Sequence, residues 1–165
     1  MHSIQIQKKL KKKMISLKSI TPDNVVDVIK LSKTLDDLQQ KQVAPNEISL
    51  AQAYAEGDNA FVKAIYNQEK LVGFFMLKKQ LNDVPEEEKP VSYIWRFMVA
   101  KPFQNKGFGK ETIRQVVDLE RQRGIKTIYV SVVPDNDMPK VFYESCGFVD
   151  TKTFEHDELV LKMKL

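Results

Sequence analysis

Residues 104–109 read QNKGFG, between an apolar run, YIWRFMVA at 93–100, and a helix-like run, KETIRQVVDLERQRG at 110–124. The first N–H groups of a helix have no partner inside the helix and carry partial positive charge, so a strand, a glycine-bearing loop and a helix in this order suit a bound phosphate. Glycine lets the backbone approach the anion, and Lys106 and Lys110 add cationic side chains. The stretch therefore predicts a pyrophosphate site.

Two familiar nucleotide-binding motifs do not fit this loop. A Walker loop needs a Ser or Thr hydroxyl directly after Gly-Lys, and here Gly109-Lys110 is followed by Glu111. The dinucleotide fingerprint needs a third glycine, at the position where this sequence has Thr112. An ordinary tight turn also explains a Gly-x-Gly at a helix start. The choice therefore depends on what surrounds the loop.

The composition is that of one globular domain without a metal centre. The chain has 165 residues, 42% of them hydrophobic and 29% charged, which is ordinary for a single domain. No apolar run is long enough for a membrane span, and none follows the N-terminus as a secretory signal requires. Cys146 alone cannot form an internal disulfide, which fits a reducing, cytoplasmic compartment. With only His2 and His156 beside it, no metal-ligand cluster is expected.

The positive charge of the chain is concentrated at its N-terminus. The net charge is +4, but residues 1–13 contain five lysines and no acidic residue, so the remainder carries −1. We predict residues 1–13 to be a basic extension, either disordered and solvated or a non-native start before Met14, and 14–165 to be one domain. A basic arm that binds nucleic acid or a membrane surface stays open as an alternative.

Alternation and capping signals predict a mixed α/β sheet. MISLKSI at 14–20 alternates as a strand, and TPDN at 21–24 starts a helix because Thr21 can cap it. The order is β-α-α-β-β-β-α-β-α-β-β, with mostly antiparallel connections at its start. The other predicted elements are a helix at 44–57, a hairpin at 60–67 and 70–79, a polar loop at 81–90, a strand at 91–100, a helix ending at Gly124, a strand at 126–134, a helix from Pro139 to Gly147, and strands at 148–154 and 157–165.

A second motif supports the phosphate interpretation. NDMPKVFYESCGF at 136–148 begins about 27 residues after Gly109. The two motifs together resemble the GCN5-related N-acetyltransferase (GNAT) superfamily, with 91–123 similar to its pyrophosphate motif and 127–148 to its second cofactor motif. TPDN, VAPNEISLAQAY, KLVGFFML and WRFMV resemble its bacterial spermine/spermidine acetyltransferase-like branch. The resemblance implies one GNAT domain over 14–165, with a mixed, mostly antiparallel sheet, flanking helices and splayed central strands.

The resemblance also implies acetyl-CoA as cosubstrate, without a metal. In that superfamily the strand before the loop splays from the next parallel strand, and the pantetheine arm pairs with its backbone. Here this strand segment is Phe97, Met98 and Val99, whose N–H groups can polarise the thioester carbonyl. The loop residues that would hold the pyrophosphate, with the asparagine that would bind the pantetheine or neighbouring backbone, are Gln104, Asn105, Lys106, Gly107, Phe108, Gly109, Lys110 and Asn136.

By the same resemblance, Tyr143 is the catalytic residue. Coenzyme A must leave as a thiolate, and a phenol can supply its proton. Two alternatives remain open, because Tyr143 could serve only as packing and Asn136 only as a turn or helix cap. Pro139 departs from the alanine common three residues after that asparagine, but proline is tolerated in the first turn of a helix.

The acceptor and the general base are less well defined by the sequence. Many members of the superfamily place a glutamate on the strand before the glycine loop, and VSYIWRFMV has none, so deprotonation through water is expected. The EEE run at 86–88 is interpreted as a solvated loop, and Cys146 has no histidine placed to activate it as a nucleophile. A cationic amine would need carboxylates and aromatic faces, and the candidates are Asp36, Asp37, Glu47, Tyr93 and Trp95.

The predicted function is transfer of an acetyl group from acetyl-CoA to a primary amine, with a polyamine such as spermidine or spermine first in rank. Another small amine or a protein amino group is the alternative acceptor. The expected partners are a small-molecule amine and, as a possibility, a second copy of the chain, without nucleic acid or membrane. A non-catalytic acyl-CoA-binding module is a rival that would keep the glycine loop and Asn136 but not need Tyr143.

Overall fold

The computed structural model describes residues 14–165, and the predicted extension at 1–13 lies outside the described residues. Short 3-10 turns lie at Ser32–Thr34, Gly57–Asn59, Glu86–Glu88 and Lys101–Phe103. The five helices of the described region are α1 (Val25–Leu31), α2 (Asp37–Gln42), α3 (Asn46–Glu56), α4 (Phe108–Gln122) and α5 (Asp137–Ser145), and its seven strands are β1 (Ile15–Lys18), β2 (Ala60–Asn67), β3 (Lys70–Lys78), β4 (Val91–Val99), β5 (Thr127–Val132), β6 (Val149–Glu155) and β7 (Glu158–Lys164).

The strands form one sheet in the order β1-β2-β3-β4-β5-β7-β6. Every neighbouring pair is antiparallel except β4 and β5, which are parallel. The long crossover between these two strands contains α4, as a parallel connection requires. The prediction of a mixed, mostly antiparallel sheet flanked by helices is therefore confirmed.

The parallel pair separates part-way along its length. β4 and β5 are paired from Val91 opposite Thr127 to Ile94 opposite Val130, although β4 continues for five more residues and β5 for two. At the same point the register between β3 and β4 skips Trp95, which is the extra residue of a β-bulge. A bulge bends its strand and increases the local twist. The two central strands therefore diverge and leave a cleft between them, as the splayed strands of the prediction require.

Apolar packing covers both faces of the sheet. On one face Val28 and Leu31 of α1 pack in a cluster with Phe74 and Met76. On the other, Ile113 and Val116 of α4 pack in a cluster with Phe75 and Leu77. Consecutive side chains of a strand point to opposite faces, so β3 carries both cores and its sequence is a continuous apolar run. The sheet therefore holds the cleft on a rigid support.

In the N-terminal region one local prediction was wrong and one helix was missed. Thr21 does not cap α1, which begins at Val25; instead the N–H of Thr21 donates to the side chain of Asn24 at 2.8 Å, so TPDN forms a turn before the helix. The short helix α2 was not predicted. Its N-cap Asp36 and Gln39 form a reciprocal capping box. This spacing is a sequence signal for the start of a helix, although the helix has no clear apolar pattern.

Gly73 on β3 gives a test of the packing beside the cleft. A Cβ built on Gly73 would lie 2.5 Å from the carbonyl oxygen of Met98 on β4. We expect Gly73→Ala to lower the free energy of unfolding by about 1–3 kcal/mol through this overlap, measured by urea unfolding. Lys70→Ala, at an exposed position on the same strand, is the control. An unchanged unfolding midpoint for Gly73→Ala would contradict the close approach of β3 and β4.

Candidate active site

The cleft between β4 and β5 contains a cavity of about 700 Å³. Its walls come from β4, the glycine loop, the first turn of α4, α5 and the segment around α2. Lys106 is the one predicted cofactor residue that is not part of the lining, and its ammonium lies 5.8 Å from the ring centre of Phe103. The predicted cofactor residues that line the cavity are Phe97, Met98, Val99, Gln104, Asn105, Gly107, Phe108, Gly109, Lys110 and Asn136.

The two glycines of the loop are needed for different reasons. Gly107 has φ 80° and ψ 8° as the N-cap residue of α4, a left-handed conformation that favours glycine. Gly109 lies in the first turn, where a Cβ would come within 3.1 Å of the Phe142 ring. The N–H groups of Gly109 and Lys110 belong to this first turn, where helical N–H groups have no carbonyl partner inside the helix. The loop therefore has the backbone geometry of an anion-binding site.

A row of aromatic rings runs from β4 into α5. Phe97 stacks on Phe142 with ring centres 5.8 Å apart, and Phe142 meets Tyr143 edge-on at 5.2 Å. Tyr143 then meets Phe148 edge-on at 5.4 Å. Both Phe142 and Tyr143 also line the cavity. The ring of Tyr143 is therefore packed among aromatic side chains, as the packing alternative expected. The same residue also borders the cleft.

The environment of Tyr143 keeps its phenol protonated. Burial raises the pKa of Tyr143 above its ordinary value, and the nearby Cys146 and Tyr93 raise it further. A phenol with a raised pKa holds its proton at neutral pH, which is the form that a proton donor needs. Burial is also the largest cause that raises the pKa of the Cys146 thiol. Cys146 therefore stays protonated rather than acting as a thiolate nucleophile.

Asn136 caps a helix, which was the alternative interpretation of this residue. Its side-chain oxygen accepts from the N–H of Met138 at 3.0 Å and so caps α5. Its side-chain nitrogen donates to Gln42 at 3.4 Å, across the mouth of the cavity. The helix begins at Asp137, so Pro139 lies in its first turn, where it is tolerated. Asn136 thus both caps the helix and lines the cleft.

The three carboxylates predicted to receive the amine do not converge on the cavity. Asp36 lines it, but its carboxylate binds the Lys101 ammonium at 2.7 Å and caps α2. The hydrogen bond from Lys101 is the main cause that lowers the pKa of Asp36. Asp37 and Glu47 are exposed in the first turns of α2 and α3 and are not part of the lining. None of the three therefore offers a free charge to the cleft.

A second cavity of about 900 Å³ adjoins the first. It is lined by Tyr129 and Lys162, which are paired on β5 and β7. Their neighbours along these strands, Ile128 and Leu161, instead pack in the core cluster with α4. Because side chains alternate along a strand, the second cavity lies on the sheet face away from α4. The residues that line both cavities are Tyr93, Trp95, Arg96, Ser131 and Glu158.

The predicted aromatic residues Tyr93 and Trp95 thus lie at the junction of the two cavities. The Tyr93 hydroxyl lies 2.7 Å from Ser131 Oγ, and Ser131 donates to a carboxylate oxygen of Glu158. The ring of Trp95 has the guanidinium of Arg96 and the ammonium of Lys78 each 5.3 Å from its centre. Sequence reasoning missed Ser131 and Glu158, because their strands show only the alternation of a half-buried sheet.

The EEE run was interpreted incorrectly at its last residue. Glu86 and Glu87 are exposed, but Glu88 is buried and accepts hydrogen bonds from the Tyr129 hydroxyl and the Lys162 ammonium. A buried carboxylate needs partners of this kind. Glu88 thus fixes two residues of the second cavity wall, and the loop at 81–90 is anchored to the sheet.

The sequence profile of the Acetyltransferase (GNAT) family matches residues 29–148, a span that includes the glycine loop, the splayed strands and all of α5. The chain belongs to the acetyltransferase (GNAT) family. The expected membership in the GNAT superfamily is therefore confirmed. In residues 14–165 of this GNAT protein, no group of three His, Cys, Asp or Glu could hold a metal ion, and no helix is long and apolar enough to cross a membrane.

Known proteins resemble this GNAT chain in part of the sequence and in most of the fold. The Uncharacterized N-acetyltransferase YycN of Bacillus subtilis (strain 168) is 25% identical over 85 residues, which are 52% of this chain and 52% of that protein. The chain thus spans about half the length of this curated relative.

The solved structures that share the fold include two acetyltransferases. An acetyltransferase from Bacillus subtilis in complex with CoA has a TM-score of 0.63 and 18% identity, over 92% of this chain and 97% of that chain. A spermidine N-acetyltransferase SpeG chimera from Vibrio cholerae and hSSAT has a TM-score of 0.66 and 17% identity, over 91% of this chain and 95% of that chain. At these identities the similarity concerns the fold alone.

The loop geometry predicts the effect of a bulky charge at Gly107. We expect Gly107→Glu to weaken coenzyme A binding at least tenfold, because the new carboxylate would stand at the N-terminus of α4 beside the pyrophosphate seat. Isothermal titration calorimetry measures the affinity. Gly124→Glu is the matched control, because Gly124 at the other end of the helix has a similar φ of 77° and open space around it. Equal affinities for Gly107→Glu and the wild type would remove the phosphate interpretation.

Proposed function

We propose that the protein transfers the acetyl group of acetyl-CoA to the primary amine of a small cationic molecule, with a polyamine such as spermidine or spermine as the acceptor. The observation that carries the proposal is that the two cavities share lining residues. The first cavity borders the glycine loop and the second borders several carboxylates, and they meet at Tyr93, Trp95 and Glu158. An amine in the second cavity would thus reach a thioester held in the first.

The residues of the first cavity fit a coenzyme A molecule. Beyond Ile94, the edge of β4 that faces the cleft has no strand beside it among the described residues, so its backbone groups are accessible to the amides of a pantetheine arm. The Gln104 side chain donates to the carbonyl oxygen of Val99 at 2.9 Å and ties the glycine loop to the end of this edge. Lys110 adds a positive charge at the cavity wall. These features support binding of the phosphate and pantetheine parts along one continuous groove.

The cations in the second cavity wall are largely neutralised by their own partners. The Lys78 ammonium lies 3.0 Å from the Glu56 carboxylate, and Lys162 forms an ion pair with Glu88. These pairs take two positive charges out of the balance. The attraction of a charged ligand therefore depends on the lining residues that have no ion-pair partner.

The remaining groups make the second cavity acidic. Its other ionisable lining residues include the carboxylates of Asp83, Glu155 and Glu158, with the guanidinium of Arg96 and the imidazole of His156. In residues 14–165 none of the three carboxylates forms an ion pair. An excess of negative charge in a cleft concentrates ligands of the opposite sign. This favours a cationic amine, such as a polyamine, as acceptor.

The reaction needs one bond to form and one to break. Acetyl-CoA supplies the acetyl group as an activated thioester. The amine nitrogen attacks the thioester carbonyl carbon, backbone N–H groups at Phe97 to Val99 stabilise the developing charge on its oxygen, and the carbon–sulfur bond then breaks. Tyr143 donates its phenolic proton to the departing sulfur. Its raised pKa ensures that this proton is present at neutral pH.

The first test is coenzyme A release from acetyl-CoA with a panel of amines, for the wild type and Tyr143→Phe. We expect the highest turnover with spermidine or spermine and a loss of about 10²-fold or more in kcat for Tyr143→Phe. Tyr54→Phe is the control, because Tyr54 is 91% exposed and outside both cavities. Turnover of another amine would replace the polyamine. Binding of acetyl-CoA without turnover on any amine, protein amines included, would favour the binding module.

The raised pKa of Tyr143 also predicts the alkaline side of the pH profile. A phenol donates only below its pKa, and burial places this pKa above its ordinary value. We therefore expect kcat not to fall between about pH 7 and about pH 9.5, a range in which an ordinary tyrosine begins to ionise. Steady-state rates of the wild type at saturating substrate check this. A decline with an apparent pKa inside that range would show that Tyr143 is not the proton donor.

A further inference from the structure

The hydrogen-bond chain at the junction of the cavities has a defined direction. The hydroxyl of Ser131 has one hydrogen atom, and it is donated to the carboxylate of Glu158. Since the Tyr93 hydroxyl lies 2.7 Å from the same Ser131 oxygen, Tyr93 must be the donor in that bond. The phenolic oxygen of Tyr93 then still has lone pairs with which to accept a hydrogen bond. The chain thus begins at Tyr93 and ends at Glu158.

This chain stands where an attacking amine would lose its proton. Tyr93, Ser131 and Glu158 each line both cavities. Tyr93 is also close enough to Tyr143 to contribute to the raised pKa of that residue. The entrance of the chain and the proposed proton donor therefore border the same part of the cleft.

Glu158 is the carboxylate that the geometry selects. Within residues 14–165, Asp36 and Glu158 are the carboxylates that line the first cavity, and Asp36 is bound to Lys101. Asp83 and Glu155 line the second cavity alone. Glu158 is thus the one carboxylate of the described region that borders both cavities.

We propose that Tyr93, Ser131 and Glu158 form a proton relay that deprotonates the acceptor amine, an inference that rests on the proposed function. As the nitrogen lone pair forms the new bond to the acetyl carbon, the surplus proton on nitrogen passes to the Tyr93 oxygen. The hydroxyl proton of Tyr93 passes to Ser131, and that of Ser131 passes to the Glu158 carboxylate. One proton thus leaves the amine and one arrives at Glu158, which returns it to solvent through the second cavity.

The surroundings of Tyr93 suit a relay rather than a base. Burial is the largest cause that raises the pKa of Tyr93, and the charges of Glu158 and Glu155 raise it further, against the opposing effects of Ser131 and Arg96. A phenolate at this position is therefore disfavoured. Tyr93 can accept a proton only while it releases its own to Ser131. The glutamate at the end of the chain, and not the tyrosine, then holds the proton.

The test compares two variants that remove the same charge from the second cavity. Glu158→Gln keeps the shape of the side chain and an acceptor for Ser131 but cannot take up a proton. We expect it to lower kcat for the best amine of the panel by about 10²-fold, to raise KM because a charge is lost from the second cavity, and to change the Kd of coenzyme A little. Glu155→Gln removes a carboxylate outside the chain, so we expect it to raise KM with little effect on kcat.

A second measurement separates a relay from a structural contribution. Ser131→Ala keeps the Glu158 charge but interrupts the chain, and we expect a loss of kcat similar to that of Glu158→Gln. Because both act on one route, the double variant should lose little more than either single variant. A kcat of Glu158→Gln within about twofold of an active wild type would overturn the relay and leave the acetyl transfer standing. A wild type without turnover on any amine would overturn the proposed function and the relay with it.

Discussion

The separation of β4 from β5 after four paired residues is the constraint on which the site depends. Each strand is held firmly on its other side, β4 by β3 and β5 by β7. Gly73 lets β3 approach β4 so closely that any side chain would meet the Met98 carbonyl. The bulge at Trp95 bends β4 at the point where its pairing with β5 ends. The gap is therefore built into the sheet and does not depend on a ligand to open it.

This gap explains how the glycine loop and the acidic second cavity can lie close together although they belong to different faces of the sheet. The loop enters at the carboxyl end of β4, where α4 begins with Gly107 as its N-cap. The acidic groups come from the opposite face of the sheet, on β6 and β7 and the loop before β4. Strands that stayed paired would separate these regions by a continuous layer of backbone. Because β4 and β5 diverge, residues such as Tyr93 and Ser131 border both.

The sequence predicted those parts of the site that are local in the chain. The glycine loop, α4 and the strand before it lie within about 33 residues, and their pattern predicted many of the residues that line the first cavity. The acceptor side depends on contacts between distant residues. From the sequence, Asp36 was a plausible ligand for an amine. In the structure its charge is neutralised by Lys101, which is 65 residues away in the chain. Likewise Glu88 is buried by partners on β5 and β7, and its sequence neighbours gave no sign of them.

The two tyrosines of the cleft show how neighbours decide what one kind of side chain can do. Both have a pKa raised mainly by burial, so both remain phenols at neutral pH. Tyr143 is enclosed by the rings of Phe142 and Phe148, which offer its proton no acceptor. In the proposed mechanism this proton goes to the leaving sulfur. The Tyr93 hydroxyl donates to Ser131, which donates to the Glu158 carboxylate. The proton of Tyr93 is therefore directed towards Glu158 and away from the leaving sulfur. In the mechanism proposed, one phenol therefore gives a proton to the reaction while the other carries one away, and the difference arises from two hydrogen bonds.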